Sequence, residues 1–129
     1  MPEPLSVSAP PLSPGGVGVA IVHAGDYVNK LNGLRIEREC LLRLEGGCRA
    51  LVISFRGTEL VNSIGVSILL GVIEAADEHG ARVVFSDLSR HTVELFDLLG
   101  LTRHVALADT EESALDILEE FAAPPAPGH

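Results

Sequence analysis

The stretch Ala50-Leu51-Val52-Ile53-Ser54-Phe55, followed after a short link by Asn62-Ser63-Ile64-Gly65-Val66-Ser67-Ile68-Leu69-Leu70-Gly71, decides the fold. Its first part is a β-branched run with no polar alternation, the pattern of a strand covered on both faces. Its second part turns to helical spacing and continues to about Glu78, with Gly80 as its stop. Asn is among the best helix N-caps, because its side-chain oxygen accepts from N–H groups of the first turn that have no partner inside the helix. Asn62 is therefore expected to cap the helix, and Ser63 to stand at or near its first position. A hydroxyl there can accept a phosphate without breaking the helix, since the N-terminus favours negative charge. That pattern points to a modified, switched protein rather than to a catalyst.

The same alternation extends in both directions. Val17 to Val22 reads as a strand, Gly25-Asp26 as a turn, and the following segment as a helix that uses Leu34, Cys40, Leu41 and Leu44 and stops at Gly46-Gly47. Arg82 to Ser86 is a third strand. Ser89 caps a helix that ends at Gly100, His104 to Leu107 is a short edge strand, and Thr110 opens a last helix with acidic residues in its first turn. Strands alternating with helices predict an α/β fold: a mixed sheet of about four to five strands packed with about four helices, its parallel members joined by right-handed crossovers.

The chain has 129 residues, enough for one domain. Residues 17–121 are expected to form it, flanked by a disordered Pro/Ser/Gly-rich extension over residues 1–16 and a disordered Ala/Pro tail over residues 122–129. The extension has neither the basic nor the continuous apolar region of a signal peptide. No apolar run approaches the roughly 18 residues needed to cross a bilayer, so the expectation is a soluble, cytoplasmic protein without membrane insertion. Eighteen acidic against nine basic residues give a net charge of −9, which repels nucleic acid and anionic lipid.

Chemistry of other kinds finds little support. Cys40 and Cys48 lie in segments that read as helix and strand, have neither the number nor the spacing of a disulfide framework or zinc site, and read as reduced, buried thiols. His23, His79, His91, His104 and His129 show no metal-ligand spacing. Gly15-Gly16-Val17-Gly18 lacks a Walker lysine and reads as a linker, while Asp26, Glu59, Asp77 and Asp87 are not brought together by any pattern. No metal, no cofactor and no catalytic residue is expected.

Asn62-Ser63-Ile64-Gly65 with the small and aliphatic run to Gly71, Gly25-Asp26-Tyr27-Val28-Asn29 after the first strand, and Val93-Glu94-Leu95-Phe96-Asp97-Leu98-Leu99-Gly100-Leu101 together resemble the STAS domain of bacterial anti-sigma-factor antagonists. The family's motif is Asp-Ser followed by Ser, Thr or Phe and then Gly; here Asn62 replaces the Asp and Ile64 follows the serine. The resemblance implies a phosphorylation switch. The unphosphorylated protein binds a GHKL-type serine kinase that doubles as an anti-sigma factor, phosphorylation at Ser63 releases it, and a PP2C-type phosphatase restores binding. Asp26, Tyr27, Asn29, Asn62, Ile64, Gly65, Ser67 and Ile68 are the expected partner-binding residues, with Glu59 a weaker candidate. The alternative is an unmodified scaffold subunit of a transporter or stressosome-like complex.

Helical spacing aligns Ser63, Ser67 and Gly71 in one stripe bordered by Ile64, Ile68 and Val72, with Val66, Leu69, Leu70 and Ile73 toward the core. Such a stripe accepts either a partner helix or another element of the same domain. Asp26, Tyr27 and Asn29 stay equally open between a contact role and a turn in which Tyr27 covers the edge of the core.

Overall fold

A computed structural model describes residues 18–122 of the chain. In order they form β1 (Val19–His23), β2 (Tyr27–Val28), α1 (Lys30–Glu45), β3 (Ala50–Ser54), β4 (Leu60–Val61), α2 (Ser63–Glu78), β5 (Arg82–Ser86), α3 (Arg90–Leu98), a 3₁₀ turn (Leu101–Arg103), β6 (Ala106–Ala108) and α4 (Glu111–Ala122). The four longer-range strands make one sheet in the order β1-β3-β5-β6, while β2 and β4 form a separate two-stranded sheet. Every pairing among the described residues is parallel.

The predicted α/β class holds, with four α-helices on a central sheet. Strand β3 is buried along its whole length, as its unalternating sequence requires of a central parallel strand. Successive residues of β3 and β5 point to opposite faces. Leu51, Ile53, Val83 and Phe85 join Ile36, Cys40, Leu69, Val72 and Phe96 on one side, so α1, α2 and α3 cover that face. Val52 and Val84 meet Ala114 and Leu118 of α4 on the other. Phe55, Phe85 and Phe96 stack edge to face with centroids 5.1 to 5.7 Å apart and are almost wholly buried. Truncating any one of them to Ala would cost about 3–5 kcal/mol.

Helix ends follow the expected chemistry. Ser89 Oγ accepts from the Thr92 N–H at 3.1 Å, and Thr110 Oγ1 from the Ser113 N–H at 3.0 Å. Gly80 and Gly100, the expected helix stops, have φ of 71° and 84°, where a β-carbon is disfavoured.

Four expectations need correction. The buried stripe of α1 is Gly33, Ile36, Cys40 and Leu44, while Leu34 is exposed and Leu41 only partly covered. Cys48 lies two residues before β3 rather than in it. The last strand begins at Ala106, because Leu101–Arg103 first makes a 3₁₀ turn that buries Leu101. Helix α4 includes Ala122, the first residue of the expected tail. The extension over 1–16, Val17 and the tail from 123 onward lie outside the described residues.

Candidate functional site

Because the strands are parallel, α1 and α2 both start at the end of the molecule where the β2/β4 sheet lies. That small sheet is the platform of the candidate site. Tyr27 pairs with Leu60 and Val28 with Val61, and the Asn62 N–H extends the ladder by donating to the Val28 carbonyl at 3.0 Å. Asn62 is extended (φ −89°, ψ 175°), and its Oδ1 accepts from the Gly65 N–H at 2.8 Å. It is the cap that its residue type predicts. Ser63 is accordingly the first residue of α2. Its side chain is exposed and has no hydrogen-bond partner among the described residues.

Gly65 is buried against β2, where a β-carbon would run into the Val28 carbonyl group. A residue of any other type would push the first turn of α2 off the platform. Ile64 is 48% exposed beside it, and Ser67 is exposed one turn on. Ile68 is half-buried and packs on Gly33 of α1. Val72, expected at the border of an open stripe, is fully buried because α1 lies along that side of α2. The stripe is therefore divided: Ser63, Ile64 and Ser67 face solvent, whereas Ile68 and Val72 face the neighbouring helix.

The segment after β1 reaches the same end. Asp26 is exposed, and its carbonyl accepts from the N–H groups of Glu59 (2.8 Å) and Leu60 (3.3 Å), which ties the two loops together. Tyr27 is 38% exposed, with its hydroxyl 3.5 Å from Asn62 Nδ2. Asn29 caps α1, its Oδ1 accepting from the Asn32 N–H at 2.9 Å. With Leu60 at 54% exposure, this end displays Tyr27, Leu60 and Ile64 beside the capped start of α2. Exposed aromatic and aliphatic side chains gathered at one end are what a protein partner can cover.

Three residues that hold the loop in place were not singled out in the sequence. Asn32 Nδ2 donates to the carbonyls of Ala24 and Tyr27, Arg35 Nη2 donates to the carbonyl of His23 at 2.8 Å, and Thr58 Oγ1 donates to the carbonyl of Gly25. A polar residue in the first turn of a helix after a Gly-Asp turn is the only signal that could have marked Asn32.

Other chemistry is remote from Ser63. Burial pushes the Cys40 thiol up to about 12, and burial also raises that of Cys48. Among the described residues, no three His, Cys, Asp or Glu side chains gather as a metal site, and no helix is long and apolar enough to cross a membrane. A cavity of about 600 Å³ lies between the second half of α2, the start of β5 and α4, and none of the candidate residues lines it.

A parallel sheet covered on both faces, with a second small sheet beside it at the start of α1 and α2, defines a domain of the α/β class. The chain belongs to the STAS domain family, whose model matches residues 15–114. Among solved structures it is similar to a sulfate transporter family protein from Wolinella succinogenes, with a TM-score of 0.74 and 15% identity over 86% of this chain and 90% of that one. It is similar to the anti-sigma factor antagonist SpoIIAA in its unphosphorylated form, with a TM-score of 0.63 and 17% identity over 77% of this chain and 87% of that one. A chain of the stressosome, described as a signal integration and transduction hub, gives 0.64 and 20% over 79% and 94%. At these identities the likeness is one of fold. No curated protein sequence matches the chain significantly.

Proposed function

We propose that this STAS domain is a cytoplasmic, non-catalytic binding protein of the anti-sigma-factor-antagonist type, whose hold on a protein partner is set by phosphorylation of Ser63. The single observation that carries this reading is the position of Ser63: the first residue of a capped helix, exposed, without an internal hydrogen bond among the described residues, and surrounded by Tyr27, Leu60 and Ile64. Phosphorylation there adds about −1.5 to −2 charges and three acceptor oxygens. Inside a contact made of small and apolar side chains, that dianion would have to be desolvated without a built-in cation, which disfavours the complex. SpoIIAA, of similar fold, has been solved in both unphosphorylated and phosphorylated forms.

The partner in this reading is a GHKL-type serine kinase acting as an anti-sigma factor, with a PP2C-type phosphatase reversing the modification. Ile64, Ser67, Asp26 and Tyr27 make the contact, while Asn62, Gly65 and Asn29 shape it and Ile68 supports it from beneath. Intact-mass spectrometry after incubation with ATP and such a kinase tests the proposal. One added phosphate that is lost in Ser63→Ala supports it, and no phosphate from a kinase active on another substrate overturns it. A constitutive scaffold is the second reading, favoured by Asn62 and Ile64 where the motif carries Asp and Ser, Thr or Phe.

A further inference from the structure

Helix α2 starts at Ser63, and its second half, with the beginnings of β5 and β6 and the later part of α4, lines the cavity of about 600 Å³ at the other end of the domain. Cavities of roughly 300–1,000 Å³ are those that hold ligands. Ile73, Val83, Val105 and Ile117 give this one an apolar wall. Its charged residues are Glu74 and Asp77 against Arg82 and Arg103, with His104, so an ion of either sign meets its like there. A neutral, apolar occupant suits such a lining, and the chain has one within reach. Gly18, the first described residue, accepts from the Arg49 and Ala50 N–H groups at 2.9 and 3.2 Å, and the Arg49 carbonyl accepts at 3.0 Å from the N–H of Arg82, which lines the cavity. The N-terminal extension therefore joins the sheet two strands away from the cavity, roughly 10 Å at the usual strand spacing. Leu12 stands six residues before Gly18, a length that spans up to roughly 19 Å in an extended Pro-rich chain. Residues 4–17 carry no charge, and Pro10-Pro11-Leu12 precedes residue 15, where the match to the STAS family begins.

We propose that Pro10-Pro11-Leu12 of the chain's own N-terminal extension docks in this cavity, with the Leu12 side chain against Ile73 and Val105. Two prolines before the leucine favour an extended conformation in advance, so little conformational freedom is lost on docking. Attachment through a short linker raises the effective concentration of the segment to the order of millimolar, which lets even a weak contact be occupied. The other end of the chain also leaves the domain near the cavity, since Ile117 and Leu118 of α4 line it, but residues 123–128 are Ala, Pro and Gly and offer no side chain large enough to fill an apolar hollow. Docking makes the extension part of the domain and closes an apolar surface that would otherwise be open to other proteins. This inference does not depend on phosphorylation of Ser63.

Nuclear magnetic resonance of the full chain with labelled Ile, Leu and Val methyl groups tests it. The expected result is a set of nuclear Overhauser cross-peaks from the Leu12 methyls to those of Ile73 and Val105. Leu12→Ser, a change outside the folded core, should abolish these cross-peaks and shift the Ile73 and Val105 methyl signals, while Val28 at the Ser63 end keeps its position. Leu12 methyls without any cross-peak to the domain overturn the proposal, as do Ile73 and Val105 signals that stay unchanged in Leu12→Ser. Cross-peaks from Ile73 and Val105 to residues 121–129 in place of Leu12 would make the other end of the chain the occupant and overturn it too. Cross-peaks that arise only between differently labelled copies would assign the cavity to a second chain, with the same consequence.

Discussion

Gly65 on α2 lies directly against the carbonyl group of Val28 on β2, with no room between them for a β-carbon. The contact fixes where the first turn of α2, and therefore Ser63, sits on the small sheet. A β-carbon added at Gly71, on the same helix, would lie 3.9 Å from Glu37 Oε2 of α1. The two glycines should consequently respond in opposite directions to the same substitution. Gly65→Ala forces backbone against backbone and should destabilise the domain by about 1–3 kcal/mol. Gly71→Ala makes only an ordinary van der Waals contact with Glu37 and restores helix propensity, for a gain of up to about 1 kcal/mol. Urea unfolding of both variants checks the contrast, and equal effects would contradict the packing described.

Much of this arrangement was legible in the sequence, and the parts that were not share a cause. Ala50 to Ser54 is read correctly as a covered strand, and Asn62 and Ser89 as caps, because local chemistry decides both. The β2/β4 sheet was missed. Two residues per strand are too short for any periodicity, and their pairing joins segments 33 residues apart. The same remoteness hid Thr58, which reaches the Gly25 carbonyl across that gap. Leu34 was misassigned to the core because α1 has leucines on both sides, and only the position of α2 and the sheet selects Ile36, Cys40 and Leu44. At the candidate site, the place of Ser63 at the start of α2 was readable, but the division of its helix into an open and a covered side required the position of α1.

Asn62 performs the capping task that an Asp would perform at the same place. Asn62→Asp keeps the acceptor for the Gly65 N–H and should leave stability within about 0.5 kcal/mol of the parent or slightly above it, since a negative charge suits a helix N-terminus. Asn62→Ala removes the acceptor and should cost about 1 kcal/mol. If the kinase reads a carboxylate before the serine, Asn62→Asp should also be phosphorylated faster than the parent. Thermal melts and initial phosphorylation rates measured on the same preparations separate the two roles.

Ser63→Asp is expected to weaken partner binding without weakening the fold. The side chain is exposed and stands at the positive end of the α2 dipole, so an added carboxylate there should change stability by about 0.3–1 kcal/mol in the favourable direction. Ser63→Ala should bind as the parent does and be insensitive to ATP. A melting temperature in Ser63→Asp at or above that of the parent, together with lost binding in a titration, would place the effect in the interface. A lowered melting temperature would assign the lost binding to unfolding.

Cys40 gives the fold a dependence on alkaline pH. Its thiol is wholly buried between α1 and the sheet, and that burial raises it from an ordinary 9.0 to about 12. Below pH 9.0 the thiol is protonated in the folded and the unfolded chain alike, and its contribution to stability is complete. Above that point the unfolded chain releases the proton while the folded one retains it, so the unfolded state binds fewer protons and stability falls as pH rises. The loss continues until the folded thiol itself ionises near 12. Burial raises the Cys48 thiol as well, so it acts in the same direction. Cys40→Ala should therefore be less stable than the parent at neutral pH, from the lost packing, yet lose less with each further pH unit above 9.0. Urea unfolding at pH 7, 9, 10 and 11 measures this directly. Converging stability curves for parent and variant are the expected outcome, and curves that stay parallel would mean that the Cys40 thiol ionises alike in both states.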